Sequence, residues 1–108
     1  MNESSISGRF PVKQAVINEN GIATHEIVAA VADKSIRIIA LMFTVAGPVN
    51  ITFQSAATPL TGAMEFADSG GLTHESQDGI MWTQPGEAFN LAADAAVLIS
   101  GVVTYIEV

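Results

Sequence analysis

Val49-Asn50-Ile51-Thr52-Phe53-Gln54-Ser55 is the stretch that decides the fold class. Val49, Ile51 and Phe53 point one way, and Asn50, Thr52 and Gln54 the other. A period of two marks a strand with one buried face, whereas an amphipathic helix repeats every three to four residues. Upstream, Ser35 to Val45 is the longest apolar run, and it stops at Gly47-Pro48. Before it, Thr24 to Val31 closes at Ala32-Asp33-Lys34, and Phe10 to Asn18 ends in Asn18-Glu19-Asn20-Gly21, where Asn20-Gly21 favours a tight turn. Downstream, Leu60 to Ala67 is broken at Gly62, as for a bulge or bend. Leu72 to Ser76, Ile80 to Gln84, Glu87 to Ala92 and Val97 to Val108 follow, separated by Asp68-Ser69-Gly70-Gly71, Gln77-Asp78-Gly79 and Pro85-Gly86. Thr24 to Lys34 and Glu87 to Leu98 are rich in alanine and can be drawn as helices, but Asn90, Asp94 and the shortness of the first favour strands. Turn signals about every ten residues predict an all-β fold: a single antiparallel β-sandwich, jelly-roll-like, of eight or nine short strands. Residues 9–108 make the sandwich domain, and the small polar residues 1–8 a flexible N-terminal arm.

Composition narrows the function. The 108 residues are 49% hydrophobic and only 14% charged, with a formal charge of −7. Four Lys plus Arg among 108 residues give no basic surface for nucleic acid, and the chain is too apolar for disorder. No run reaches the length of a membrane span, because Arg37, Gly47, Pro48 and Asn50 interrupt the best candidate, so no membrane partner is expected. Met1 to Gly8 has neither the positive nor the apolar region of a signal peptide, which leads us to expect a soluble product made in the cytoplasm. Without cysteine there is no disulfide framework, thiolate nucleophile or cysteine zinc site.

The longest strands are apolar on both faces. Strict alternation over Ser35 to Val45 sets Ile36, Ile38, Ala40 and Met42 against Arg37, Ile39, Leu41, Phe43 and Val45. Over the last strand it sets Val97, Ile99, Val103 and Tyr105 against Leu98, Val102, Ile106 and Val108. A solitary antiparallel sandwich keeps one face of each strand polar. So short a chain has little left to cover a second apolar face, which predicts burial by another subunit. The polar faces carry Ser, Thr, Asn and Gln rather than Lys and Glu, and these lose less on desolvation.

Candidate chemistry is sparse. Asp68-Ser69-Gly70-Gly71 resembles the sequence around the nucleophile of chymotrypsin-like proteases, with His25 as the base. The family's preceding glycine is Ala67 here, no credible orienting acid follows His25 at the family's position, and a plain β-turn explains all four residues. Thr-His-Glu occurs at Thr24-His25-Glu26 and at Thr73-His74-Glu75. Adjacent His and Glu on a strand point to opposite faces, so His25 or His74 would bind a metal only where copies meet at a symmetry axis. Two histidines are also too few for a cupin centre. The acidic residues are scattered, with no calcium-loop spacing and no glycine-rich phosphate loop. Trp82, between Gly79 and Pro85, reads as a partly buried anchor in the core or an interface. We therefore expect no catalytic residues, cofactor or metal.

Ile36-Arg37-Ile38-Ile39-Ala40-Leu41, Val49 to Ser55, Leu60-Thr61-Gly62-Ala63-Met64, Gly86-Glu87-Ala88-Phe89-Asn90-Leu91 and Ser100-Gly101-Val102-Val103-Thr104-Tyr105 together give a recurrent texture. In it, residues from about Ile27 to Val108 resemble the small all-β virion proteins of tailed bacteriophages. The resemblance implies a homotrimer that decorates and cements a capsid, with the major capsid protein or other virion proteins as partners and the virion surface as its place. A tail or fibre component, or a carbohydrate-binding module with a pocket near Trp82 or Tyr105, is the second reading. Arg9, Phe10 and Pro11 are expected to anchor the arm on a neighbour, with Trp82 and Tyr105 as further interface residues.

Overall fold

The computed structural model describes residues 10–108. The expected arm, 1–8, and Arg9 lie outside the described residues. Ten strands follow one another: β1 (Lys13–Asn20), β2 (Ala23–Val28), β3 (Ile36–Val45), β4 (Val49–Ser55), β5 (Thr58–Pro59), β6 (Met64–Phe66), β7 (Gly71–Glu75), β8 (Met81–Trp82), β9 (Phe89–Ala93) and β10 (Leu98–Glu107). No helix occurs among the described residues, so both alanine-rich segments are strands, β2 and β9. The count exceeds eight or nine because the breaks at Leu60–Ala63 and Ser76–Ile80 leave short pieces, β5, β6 and β8.

Two antiparallel sheets pack face to face as a sandwich. The first runs β1-β10-β3-β7, with β8 also pairing β3; the second runs β2-β9-β4-β5, with β6 also pairing β4. The chain changes sheets from β1 to β2, β2 to β3, β3 to β4, β6 to β7, β8 to β9 and β9 to β10. Asn20-Gly21 therefore ends a strand that crosses to the other sheet, and β1 extends through Asn20 rather than stopping at Asn18. Gly47-Pro48 makes the β3–β4 crossing.

The burial of β4 alternates strictly, with Val49, Ile51, Phe53 and Ser55 inside. Phe53 and Phe89 stack with ring centroids 5.4 Å apart and 6° between planes, and Phe43 from the first sheet meets Phe53 edge-on at 5.9 Å. Phe66 closes on Phe43 at 5.2 Å. These rings join the two sheets through the middle of the core. Gly101 stands opposite Phe43, and a Cβ there would collide with the Met42 carbonyl and Phe43 Cα. The strands close at that point because the residue has no side chain.

β3 corrects the strict alternation expected for it. Ile38 pairs with Tyr105 and Ala40 with Thr104, leaving Ile39 as an extra, bulged residue. A bulge inverts the parity that follows it. The inner set is therefore Ile36, Ile38, Leu41, Phe43 and Val45, all buried, and the outer set is Arg37, Ala40, Met42 and Thr44. The bulged carbonyl is used, since Ile39 O accepts Ser76 N–H at 2.8 Å. A second irregularity at Ile27 in β2 lets Ile27 and Val28 both face inward.

Candidate interaction surface

The outer faces of the two sheets differ in chemistry. On the second sheet, register rows read Thr24–Ala92–Thr52 and Glu26–Asn90–Gln54–Pro59, with Asn50–Glu65 beside them. Asp94 seals that end: its Oδ1 accepts Asn50 N–H at 2.8 Å and its Oδ2 accepts Asn50 Nδ2–H at 2.8 Å. Those bonds hold the Asp94 carboxyl below its ordinary pKa. This is a solvated polar face.

The first sheet presents the rows Asn18–Ser100–Thr44–Gly71, Val16–Val102–Met42–Thr73 and Gln14–Thr104–Ala40–Glu75. Glu75 is the only ionisable side chain in these twelve positions. Val16 is 72% exposed and Met42 51%, and Leu98 and Trp82 extend the exposed apolar set on the same face, with Val12 exposed just ahead of β1. Ile22, also exposed, sits in the β1–β2 link. Met42, Thr44, Thr73 and Ser100 rim a shallow depression floored by Phe43 and Gly101. With Glu75 in the register rows and Arg37 beside Trp82 as its ionisable side chains, this outer face carries little charge for an acidic molecule and suits contact with another protein better than the polar face does. The face is less apolar than strict alternation predicts, because the bulge turns Leu41, Phe43 and Val45 inward.

The residues singled out in the sequence are dispersed. Trp82 pairs with Arg37 on the outer face and is 52% exposed, so it is a surface side chain and not a core one. The Arg37 guanidinium stands 5.5 Å from its ring centroid. Tyr105 pairs with Ile38 on the inner face and packs half-buried against the core, so Trp82 and Tyr105 do not share a pocket. Phe10 is half-buried and Pro11 exposed, just ahead of β1.

His25 and His74 stand on different sheets. His25 is engaged at both ring nitrogens, by Glu19 Oε1 at 3.2 Å and by the Gly21 carbonyl at 3.0 Å, which pins the β1–β2 link. His74 is exposed on β7. No cluster of three or more His, Cys, Asp or Glu suited to a metal occurs among the described residues. Asp68-Ser69-Gly70-Gly71 is a tight turn, with Gly70 N–H donating to Ala67 O at 2.9 Å and Ser69 at φ 63°.

The sequence did not single out the tie beneath β8 and β9. Ser55 and Thr83 are the buried polar residues of the sandwich. Ser55 Oγ donates to Glu87 Oε1 at 2.5 Å and accepts Gln84 N–H at 3.0 Å. Thr83 Oγ1 accepts Ile36 N–H at 2.9 Å, and Thr83 N–H donates to Ile36 O at 2.9 Å. The inward parity of Ser55 on β4 was the available signal. These bonds anchor the link from Thr83 to Glu87 that follows Trp82 and leads from β8 to β9.

The geometry defines a two-sheet antiparallel sandwich with one polar outer face and one low-charge, partly apolar outer face. No protein-family model, curated protein or solved structure matches the chain.

Proposed function

We propose that the protein is a structural virion component that decorates and stabilises a bacteriophage capsid as a homotrimer, without catalysis. The observation that carries this reading is the outer face of β1, β10, β3 and β7, where three register rows hold one ionisable residue, Glu75, and Val16, Met42 and Leu98 are exposed, with Trp82 beside Arg37 on the adjoining β8. Counting β5 with β6 and β7 with β8 as broken single strands, the two sheet orders fit a jelly roll of nested Greek keys, the wiring expected of such proteins.

The mechanism is mass action. A subunit that binds the expanded shell better than its precursor stabilises the expanded state by the difference in binding free energy. Purified protein mixed with expanded and unexpanded shells of the encoding phage is expected to co-sediment preferentially with the expanded form, and native mass spectrometry to give multiples of three subunits. Absence of co-sedimentation with either shell overturns the proposal. A second reading, a tail or fibre module that binds carbohydrate, draws on the exposure of Trp82 beside Arg37. It requires glycan-array binding that Trp82→Ala removes.

A further inference from the structure

We infer that β1 is a self-pairing edge: two copies join antiparallel through Lys13–Glu19 across a twofold axis, with Val16 against Val16, extending the β1-β10-β3-β7 sheet through both subunits. This rests on the reading of the protein as an assembling subunit and specifies how copies meet. β1 pairs with β10 on one side, and among the described residues no strand pairs with its other side. It is eight residues long, and its register with β10 runs without a break. Free-standing edges of this length are ordinarily blunted by proline, bulges, inward-pointing charges or a covering element, and β1 carries inner-parity charges only near its ends, at Lys13 and Glu19. β1 has no proline, no bulge and a single lysine, at its first position. Apolar exposure concentrates there as well: Val12, Val16 and Ile22, on or beside β1, are 52%, 72% and 69% exposed.

Two independent features select one register. Across a twofold axis perpendicular to the sheet, the outer face of one copy continues into the outer face of the other. Setting Val16 against Val16 joins the rows Met42–Val102–Val16 of the two copies into one apolar stripe six side chains long. The same register brings Gln14 opposite Asn18, Ala15 opposite Ile17 and Lys13 opposite Glu19. Lys13 and Glu19 are the only charged residues on β1, and they meet as opposite charges twice in the pair. Moving the centre by one residue sets Val16 against Asn18 and carries Lys13 beyond Glu19. Lys13 keeps its present partner, Glu107 Oε1 at 3.0 Å, because an ammonium has three donors, and Glu19, whose Oε1 meets His25 Nδ1 at 3.2 Å, keeps its second carboxylate oxygen for the other copy. Where three copies also gather, their β1 edges link trimers in pairs.

Directly opposed residues in an antiparallel pair lie about 4.5 to 5.5 Å apart at Cα, within disulfide reach. The chain has no native cysteine, so single-cysteine variants report contacts cleanly. Under mild oxidation Val16→Cys is expected to crosslink to itself. Gln14→Cys alone should remain uncrosslinked but form a heterodimer when mixed with Asn18→Cys, and Thr58→Cys, exposed on the other sheet, serves as the background. Val16→Lys should halve the assembled mass by light scattering and keep a cooperative unfolding transition, since Val16 is largely exposed in the single subunit, while removing the dependence of the midpoint on protein concentration that pairing gives. Crosslinking of Val16→Cys at the Thr58→Cys level, or an unchanged mass for Val16→Lys, overturns the inference. Neither result bears on shell co-sedimentation, which tests the functional reading separately.

Discussion

The bulge at Ile39 makes a quantitative demand on its neighbours. Ile38 and Leu41 are three residues apart, so in an unbroken strand one of them would face solvent. Here both face the core, at 0% and 2% exposure, while Met42 next door is 51% exposed. Truncating a buried Ile or Leu to Ala costs about 2 to 5 kcal/mol, through lost transfer energy and the cavity left behind. Ile38→Ala and Leu41→Ala should therefore each fall in that range, while Met42→Ala should cost well under about 1 kcal/mol, as surface changes do. A domain of this size has about 5 to 15 kcal/mol in all, so either core variant loses a large share and the double variant approaches the unfolding limit. With a urea m-value of about 2 kcal/mol/M, each core substitution moves the midpoint down by about 1 to 2.5 M. Urea denaturation followed by Trp82 fluorescence reads this directly, with m unchanged across the series. If either Ile38→Ala or Leu41→Ala costs less than about 1 kcal/mol, the parity inversion is wrong, and the assignment of the outer face falls with it.

Two other perturbations probe features away from β3. Ala56 holds φ 51°, pinned by its N–H to Ala88 O at 2.9 Å and by its own carbonyl accepting Asn90 Nδ2–H at 2.9 Å. Ala56→Gly should raise stability by about 0.5 to 1 kcal/mol, seen as a higher thermal midpoint, because glycine adopts that conformation without a Cβ penalty. Asp94 has a lowered folded-state pKa from its bonds to Asn50, so its contribution is present above the unfolded value near about 3.9 and is lost as pH falls through the lowered one. Asp94→Ala should flatten stability against pH on the acid side of about pH 4, and an unchanged acid limb in pH-resolved denaturation refutes that assignment. Lys13, raised by Glu107, gives the mirror case: its contribution holds below the unfolded lysine value and is lost as pH rises through the raised one.

The fold class was legible because most of its signals are local. The alternation of Val49 to Ser55 survives intact as β4, and Asp68 to Gly71 and Pro85-Gly86 turn where the residue types require. The strand choice for the alanine-rich segments also holds, since Ala92 and Thr24 lie side by side on a sheet face where small residues fit as well as they do on a helix. What the sequence hid is the register. No residue type marks Ile39 as bulged; an isoleucine there reads as one more core position, and only pairing with β10 and the Ser76 amide identifies it as the extra one. One unseen bulge then misassigned the faces of every residue from Ala40 to Val45.

That error bears directly on function, because an assembling protein acts through whichever side chains its parity leaves outside. Counted by strict alternation, β3 offers a neighbour either Leu41, Phe43 and Val45 or Ile36 and Ile38, a second core in all but name. With the bulge in place it offers Ala40, Met42 and Thr44, which the sandwich tolerates in water and a partner can still cover at little desolvation cost. Such a face permits association without compelling it, and in the proposed pairing specificity falls to the β1 edge, which no other strand among the described residues pairs. The backbone of β1 supplies directional hydrogen bonds, and Lys13 and Glu19 fix the sliding position that Val16 and Val102 alone would leave free. In the proposed assembly, a low-charge face next to a charge-keyed edge would let a subunit stay folded alone, meet its copies in one register, and present a continuous apolar surface only once they have met.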